Sequence, residues 1–270
     1  MFFNLEMLNG MILLWTILTV LSVVYVTYDL IFVTPNPYIM KTGWILVTIY
    51  TGIFGLFIYL LSCKAPLTMT HEKFIAPLWK QAIGSIIHCL AGDATGIILL
   101  AIFLSFFKVS IPIEITLEYL GGFAFGLLIF QSIFMKKMLK SSYFQAIRKT
   151  FYSEWLSMNL IMGGMIPMMV FWSVLDPISK NPTSLHFFAK MSTASIVGAL
   201  FSFVGNRWLV KHNLKHGMIT KRKDEKQEAM KEMTHEKTVS STKKSIALIL
   251  SLFGLLLGIL ISIIFVKIVR

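Results

Sequence analysis

Along most of this chain, apolar residues neither alternate with polar ones nor return every third or fourth position. They run on for about twenty residues or more, then yield to a short polar interval. Seven such stretches cover residues 11–32, 44–62, 81–107, 113–135, 151–172, 185–209 and 245–266. About 20 apolar residues on a helix span the ~30 Å hydrocarbon layer. Only helices and closed barrels satisfy their own backbone groups in lipid, and unbroken apolar runs exclude a barrel pattern. The pattern predicts an all-α, polytopic membrane helix bundle of about seven transmembrane helices. A six-helix core fills residues 1–210, a linker follows over 211–244, and a C-terminal helix occupies 245–270.

Composition agrees. The chain is 56% hydrophobic and 14% charged, with a mean hydropathy of +0.74, whereas a soluble domain carries roughly 25% charged residues. That deficit excludes most soluble enzyme classes. The net charge of +12 reads as topology rather than as a nucleic-acid footprint, because nineteen of the 25 Lys and Arg fall on one side of the predicted bundle. Lys64, Lys73 and Lys80 follow the second stretch, Lys136, Lys137, Lys140, Arg148 and Lys149 the fourth, and eleven more lie between Arg207 and Lys244. The positive-inside rule then predicts a cytoplasmic N-terminus and an external C-terminus. The first stretch, preceded by Glu6 and by no Lys or Arg, reads as a retained anchor rather than a cleaved signal.

The 211–244 linker mixes Lys and Arg with Asp224, Glu225, Glu228, Glu232 and Glu236. It reads as a solvated segment suited to anionic lipid headgroups, and no nucleic-acid motif accompanies it. In the last stretch Gly254, Gly258 and Ser262 form a small-residue stripe. Such a stripe lets helices approach closely, either by docking on the bundle or in a homo-oligomer.

Ionisable residues inside an apolar span are costly, and each asks for a purpose. The third stretch carries the densest set. Ser85, Cys89 and Asp93 share one helical face, and Gly84, His88, Gly92 and Gly96 the adjacent one. Asp93 falls near the midplane and has to be paired, protonated or facing water. In the fifth stretch Glu154 heads a face continued by Met158, Met162, Met165 and Met169, with Asn159, Gly163, Gly164 and Pro167 beside it. The glycines and the proline suit helix packing or a hinge. Thioether, thiolate and imidazole together select Cu(I), although methionine stripes also serve as ordinary flexible packing. Other soft or acidic residues are more scattered: Met69 and His71, then His212, His216 and Met218, then Met230, Met233 and His235, and finally Glu114 and Glu118. Cys63 and Cys89 are not expected to pair. No phosphate loop, zinc-protease motif or nucleophile elbow occurs.

Four segments resemble a bacterial family of polytopic membrane proteins catalogued as domain of unknown function 4396. They are Phe74 to Ile97, which carries His88-Cys-Leu-Ala-Gly-Asp93-Ala-Thr-Gly96, Glu118 to Gly126, Glu154-Trp-Leu-Ser-Met-Asn159 with Gly164 to Pro167, and Asn206 to Met218. Within the last, Asn213 stands where the pattern suggests glycine. The resemblance extends over roughly residues 44–218. It implies a multi-span fold in the bacterial inner membrane and no assigned activity.

Two functional expectations follow. The first is a transporter or handler of a small cation, with copper foremost. His88, Cys89 and the four stripe methionines are its ligands, and Asp93, Glu154 and Asn159 couple the proton or cation. The second is a non-catalytic scaffold that docks a partner through the linker and last helix. A membrane enzyme using His88 with Asp93 or Glu154 is a weaker third.

Overall fold

The computed structural model describes residues 5–107, 109–139, 142–218 and 239–269. Most of the 211–244 linker, with Met230, Met233 and His235, lies outside the described residues. The elements are α1 (Leu5–Phe32), α2 (Tyr38–Thr51), α3 (Ile53–Ser62), α4 (His71–Ile75), α5 (Leu78–Leu104), α6 (Ile111–Phe125), a π-helix (Gly126–Gln131), α7 (Ser132–Leu139), α8 (Tyr143–Leu175), a 3-10 turn (Pro177–Lys180), α9 (Leu185–Lys211) and α10 (Ser241–Val269). The protein is an all-α, multi-pass membrane bundle. Among the described residues, six helical segments are long and apolar enough to cross a bilayer: α1, α5, α6 with the π-helix, α8, α9 and α10.

The second apolar stretch does not cross. It is a helical hairpin. α2 and α3 have 14 and 10 residues, hence lengths of about 21 and 15 Å, too short for the ~30 Å layer. They fold back on each other, so that Trp44 and Tyr59 meet edge to face with centroids 5.2 Å apart and Asn36 donates to the Cys63 thiol at 3.0 Å. The reversal is made at Gly52, whose φ of +58° suits only glycine. A Cβ there would also stand 2.6 Å from Thr19 Oγ1. Asp29 at the end of α1 pins both open ends of the hairpin. It accepts from Thr34 at 2.6 Å and Tyr59 at 2.5 Å, and pairs with Lys64 at 2.7 Å. These contacts, Asp29 first, hold the Lys64 ammonium above the usual lysine range. An apolar run of 19 residues reads the same whether it crosses or doubles back, because hydropathy records depth and not direction.

The hairpin changes the topology. The start of α1 and the end of α10 therefore lie at the same end of the bundle, beside the end of α8 and the start of α9. Asn9 Oδ1 of α1 accepts from His186 Nε2 at 2.9 Å near the start of α9. α10 runs parallel to α8, with Tyr152 bonded to the Lys244 carbonyl at 2.7 Å, Asn159 to Ser251 at 3.1 Å, and Phe171 against Phe265 at 5.1 Å. The stripe of α10 seats on Gly163, where Gly258 has no room for a Cβ, so Gly254, Gly258 and Ser262 are buried within the chain. α5 is the most buried span and lies at the centre, against α2, α6 and α9.

Candidate functional site

Three local features of sequence bring the site together. The first is the glycine and small-residue face of α5, which lets α6 approach closely. Cβ atoms added at Gly92 and Gly96 would clash with Gly126 and with Gly121 and Gly122. The second is the π-helix. Its i→i+5 hydrogen bonds stack residues about five apart rather than four. Gly126 and Gln131, at its two ends, therefore both face the interior. The third is the end of α9. Asn213 takes the left-handed conformation, φ 55°, and the Leu214 amide donates back to the Leu209 carbonyl at 2.9 Å. This helix stop turns the chain into the bundle. Met218 then rests on Gly84 and Lys215 enters the core, 7% exposed.

Lys215 meets Glu154 of α8. Its ammonium donates to Glu154 Oε2 at 3.2 Å and Ser157 Oγ at 2.7 Å, and it touches the Cys89 sulfur. Burial opposes the charge, but Cys89 and Glu154 outweigh it and hold Lys215 above the ordinary lysine range. Glu154 Oε2 also accepts from the Cys89 thiol at 3.0 Å and from Gln131 Nε2 at 3.0 Å. Ser157 extends the network to Asn206 Oδ1, which also accepts from Ser85, both at 3.0 Å. One carboxylate oxygen is therefore saturated with donors.

The other is not. Glu154 Oε1 and both oxygens of Asp93 are buried with no hydrogen-bond partner among the described residues, and both side chains are fully buried. Their oxygens converge: a Cβ on Gly126 would strike Asp93 Oδ1 and stand 2.7 Å from Glu154 Oε1. Two carboxyl groups thus share the space that glycine leaves open, with one lysine for two acids. Adjacent buried carboxylates cannot both remain charged with so little compensation. The arrangement has room in its charge balance for one proton or one small cation.

A family model matches residues 78–215, just over half of the chain, beginning at the first residue of α5 and ending at Lys215. Its description is Domain of unknown function (DUF4396). The chain belongs to the DUF4396 family. No curated protein and no solved structure matches it. The DUF4396 region starts at residue 78, later than the resemblance from residue 44 suggests, so α1 and the hairpin precede it and α10 follows it. Every residue of the buried cluster lies inside it.

Within the DUF4396 region, the residues expected from sequence separate into different roles. Asp93, Glu154 and Cys89 do assemble. His88 is buried one position away and presents its edge to Phe130, centroids 6.0 Å apart. Asn159 is a cross-brace, accepting from Tyr119 at 2.7 Å and donating to Ser251 at 3.1 Å. The methionine stripe does not converge on one point. Met158 reaches over Gly122 beside the Asp93 carbonyl, whereas Met165 lies against Gly198 of α9, and all four stripe methionines belong to the apolar core. Gly163 and Gly164 serve close packing, against α10 and α9, and α8 runs unbroken through Pro167. His212 caps its own helix on the Trp208 carbonyl at 2.8 Å. His71 is buried at the start of α4, and burial pushes its imidazole below the usual range. Cys63 and Cys89 are free thiols in separate places. Lys215, Gln131, Ser157 and Gly126 were not legible as site residues. The one signal for Lys215 was Asn213 at the end of an apolar helix, where a chain reversal is favoured.

Proposed function

We propose that this DUF4396 protein is a membrane-embedded carrier of a small cation, and that the cation is the proton. The supporting observation is the fully buried Asp93–Glu154 pair, whose facing oxygens have no donor among the described residues and whose charge is only half offset there by Lys215. A proton held between Asp93 Oδ1 and Glu154 Oε1 satisfies both the missing hydrogen bond and the missing charge. Intramembrane carboxyls of this kind mark proton and ion paths. A Cu(I) cargo fits the geometry less well. Lys215 already occupies the Cys89 and Glu154 Oε2 side, and of the stripe methionines Met158 is the one beside Asp93.

In this reading the protein resides in the bacterial inner membrane. The face holding Lys41, Lys64, Lys73 and the basic loops is cytoplasmic by the positive-inside rule, so the start of α1 and the end of α10 are external. The basic face lies against anionic headgroups.

The test is proton flux into vesicles that contain purified protein and a trapped pH dye, under an imposed pH gradient. Wild-type protein is expected to dissipate the gradient and Asp93→Asn, purified as a folded species, is not. Equal flux in the two removes Asp93 from the mechanism. Stoichiometric Cu(I) uptake that Met158→Leu and Cys89→Ser abolish, with no proton flux, replaces the proton by copper.

A further inference from the structure

A second pair of opposite charges lies buried in the same bundle, away from the cluster around Glu154. Glu118 of α6 is 3% exposed and Lys190 of α9 is 6% exposed. Each lies in the other's field. Glu118 lies within electrostatic reach of Lys190 and, on its own helix, of Glu114. Lys190 lies within electrostatic reach of both glutamates and of Lys180 and Asp176, and its ammonium sits 4.8 Å from the Phe187 ring. Both residues stand within the first eight residues of helices that start at the face where His186 meets Asp176 and Asn9. This is the face opposite the Lys215 reversal.

α6 connects this pair to the site. Glu118, Gly122 and Gly126 are four residues apart, so they share the helical face that packs on α5. Gly126 abuts Asp93 Oδ1, and the position of a Cβ on Gly122 lies 3.0 Å from the Asp93 carbonyl oxygen. Eight residues of helix place Glu118 about 12 Å from Gly126 along the axis. Between the two levels the wall at Gly122 is apolar. The Ile97 side chain and the Met158 thioether both come within 2.9 Å of that Cβ position. A buried glutamate with a buried lysine serves no packing purpose that Leu and Met would not serve at lower desolvation cost.

We propose that Glu118, with Lys190 as its counter-charge, is a second proton-binding station. It lies on the path between the Asp93–Glu154 pair and the face that holds His186, and Met158 and Ile97 close the gap between the stations. The step transfers a proton from the carboxylic acid of the Asp93–Glu154 pair to the Glu118 carboxylate through intervening water. The first site is left as carboxylate and the second as carboxylic acid, with no other bond changed. The inference rests on the proton reading of the first site.

The experiment compares vesicle proton flux for wild type, Asp93→Asn, Glu118→Gln and Glu118→Asp. It adds labelling of the full-length protein by a hydrophobic carbodiimide, which attacks protonated carboxyls in membranes and is mapped by mass spectrometry. Glu118→Gln is expected to cut flux at least tenfold, and Glu118→Asp to retain a measurable part of it. Glu118 is expected to be labelled in wild type, and Lys190→Met to increase that labelling several-fold by removing a positive charge that favours the carboxylate over the acid. Flux within twofold of wild type in Glu118→Gln, with Asp93→Asn inactive, overturns the second station and leaves the first standing. Full flux in Asp93→Asn overturns the first site and with it this inference. Should Glu118→Gln fail to fold, the labelling decides: Glu118 unlabelled, or labelled equally with and without Lys190, overturns the pairing.

Discussion

Removing Lys215 probes the cluster most directly. In Lys215→Met the Glu154 carboxylate loses its cationic contact among the described residues, Ser157 loses a 2.7 Å donor, and Cys89 loses the ammonium beside it. Breaking a buried ion pair by deleting one partner typically costs about 3–5 kcal/mol. Here Glu154 Oε2 keeps two donors, the Cys89 thiol and the Gln131 amide, so the expected loss lies near the lower end, ~3 kcal/mol. Glu154→Gln strands the ammonium instead and costs a comparable amount. The double variant leaves neither charge behind. It is expected to lose about 3 kcal/mol as well, far less than the two single losses together, a coupling at the upper end of the range for contacting residues, ~3 kcal/mol. The assay is reversible unfolding in mixed micelles with increasing denaturing detergent, run on all four proteins. Losses that simply add refute the reasoning, because they would mean that Lys215 and Glu154 do not share one electrostatic unit.

Other expectations are simpler to state. Gly126→Ala puts a methyl group against Asp93 Oδ1 and Glu154 Oε1, so it should abolish proton flux and cost about 1–3 kcal/mol by overpacking, read by flux and by the same unfolding assay. Single cysteines at the exposed positions 38 and 67, in a background lacking Cys63 and Cys89, should react with an impermeant maleimide from the same side of the membrane. Labelling from opposite sides would mean that the second apolar stretch crosses after all. At the end of α9, Asn213→Gly should be neutral or stabilising, whereas Asn213→Val should destabilise by about 1–2 kcal/mol, since a β-branched residue resists the left-handed region. Gly258→Val should unseat α10 from Gly163 and weaken the whole fold, visible as a lower unfolding midpoint.

Much of this protein was written in its linear pattern. Unbroken apolar runs require helices in lipid, since no other local structure satisfies the backbone there, and so the class of fold follows without any tertiary information. The same logic singled out Asp93 and Glu154, because a carboxyl in an apolar span is too costly to be incidental. Cys89, one turn before Asp93 on the same face, followed from helical spacing. The direction of the chain within the layer was not determined in this way. Gly52 turns an apolar stretch long enough to cross into a hairpin, and nothing in hydropathy distinguishes the two, so the faces on which the ends of the chain lie were decided by packing against α1 and α5. Nor did periodicity reveal which residues complete the site. Lys215 belongs by sequence to a basic, polar segment. It becomes the core's counter-ion because Asn213 reverses the backbone and Gly84 leaves room for Met218. Gln131 is brought in by a π-helix, whose five-residue stacking no 3.6-residue reading anticipates. The methionine face is regular along α8, yet its neighbours differ from turn to turn, because Met158 meets α6 and Met165 meets α9. Spacing on one helix specifies a face; what that face meets depends on the other helices.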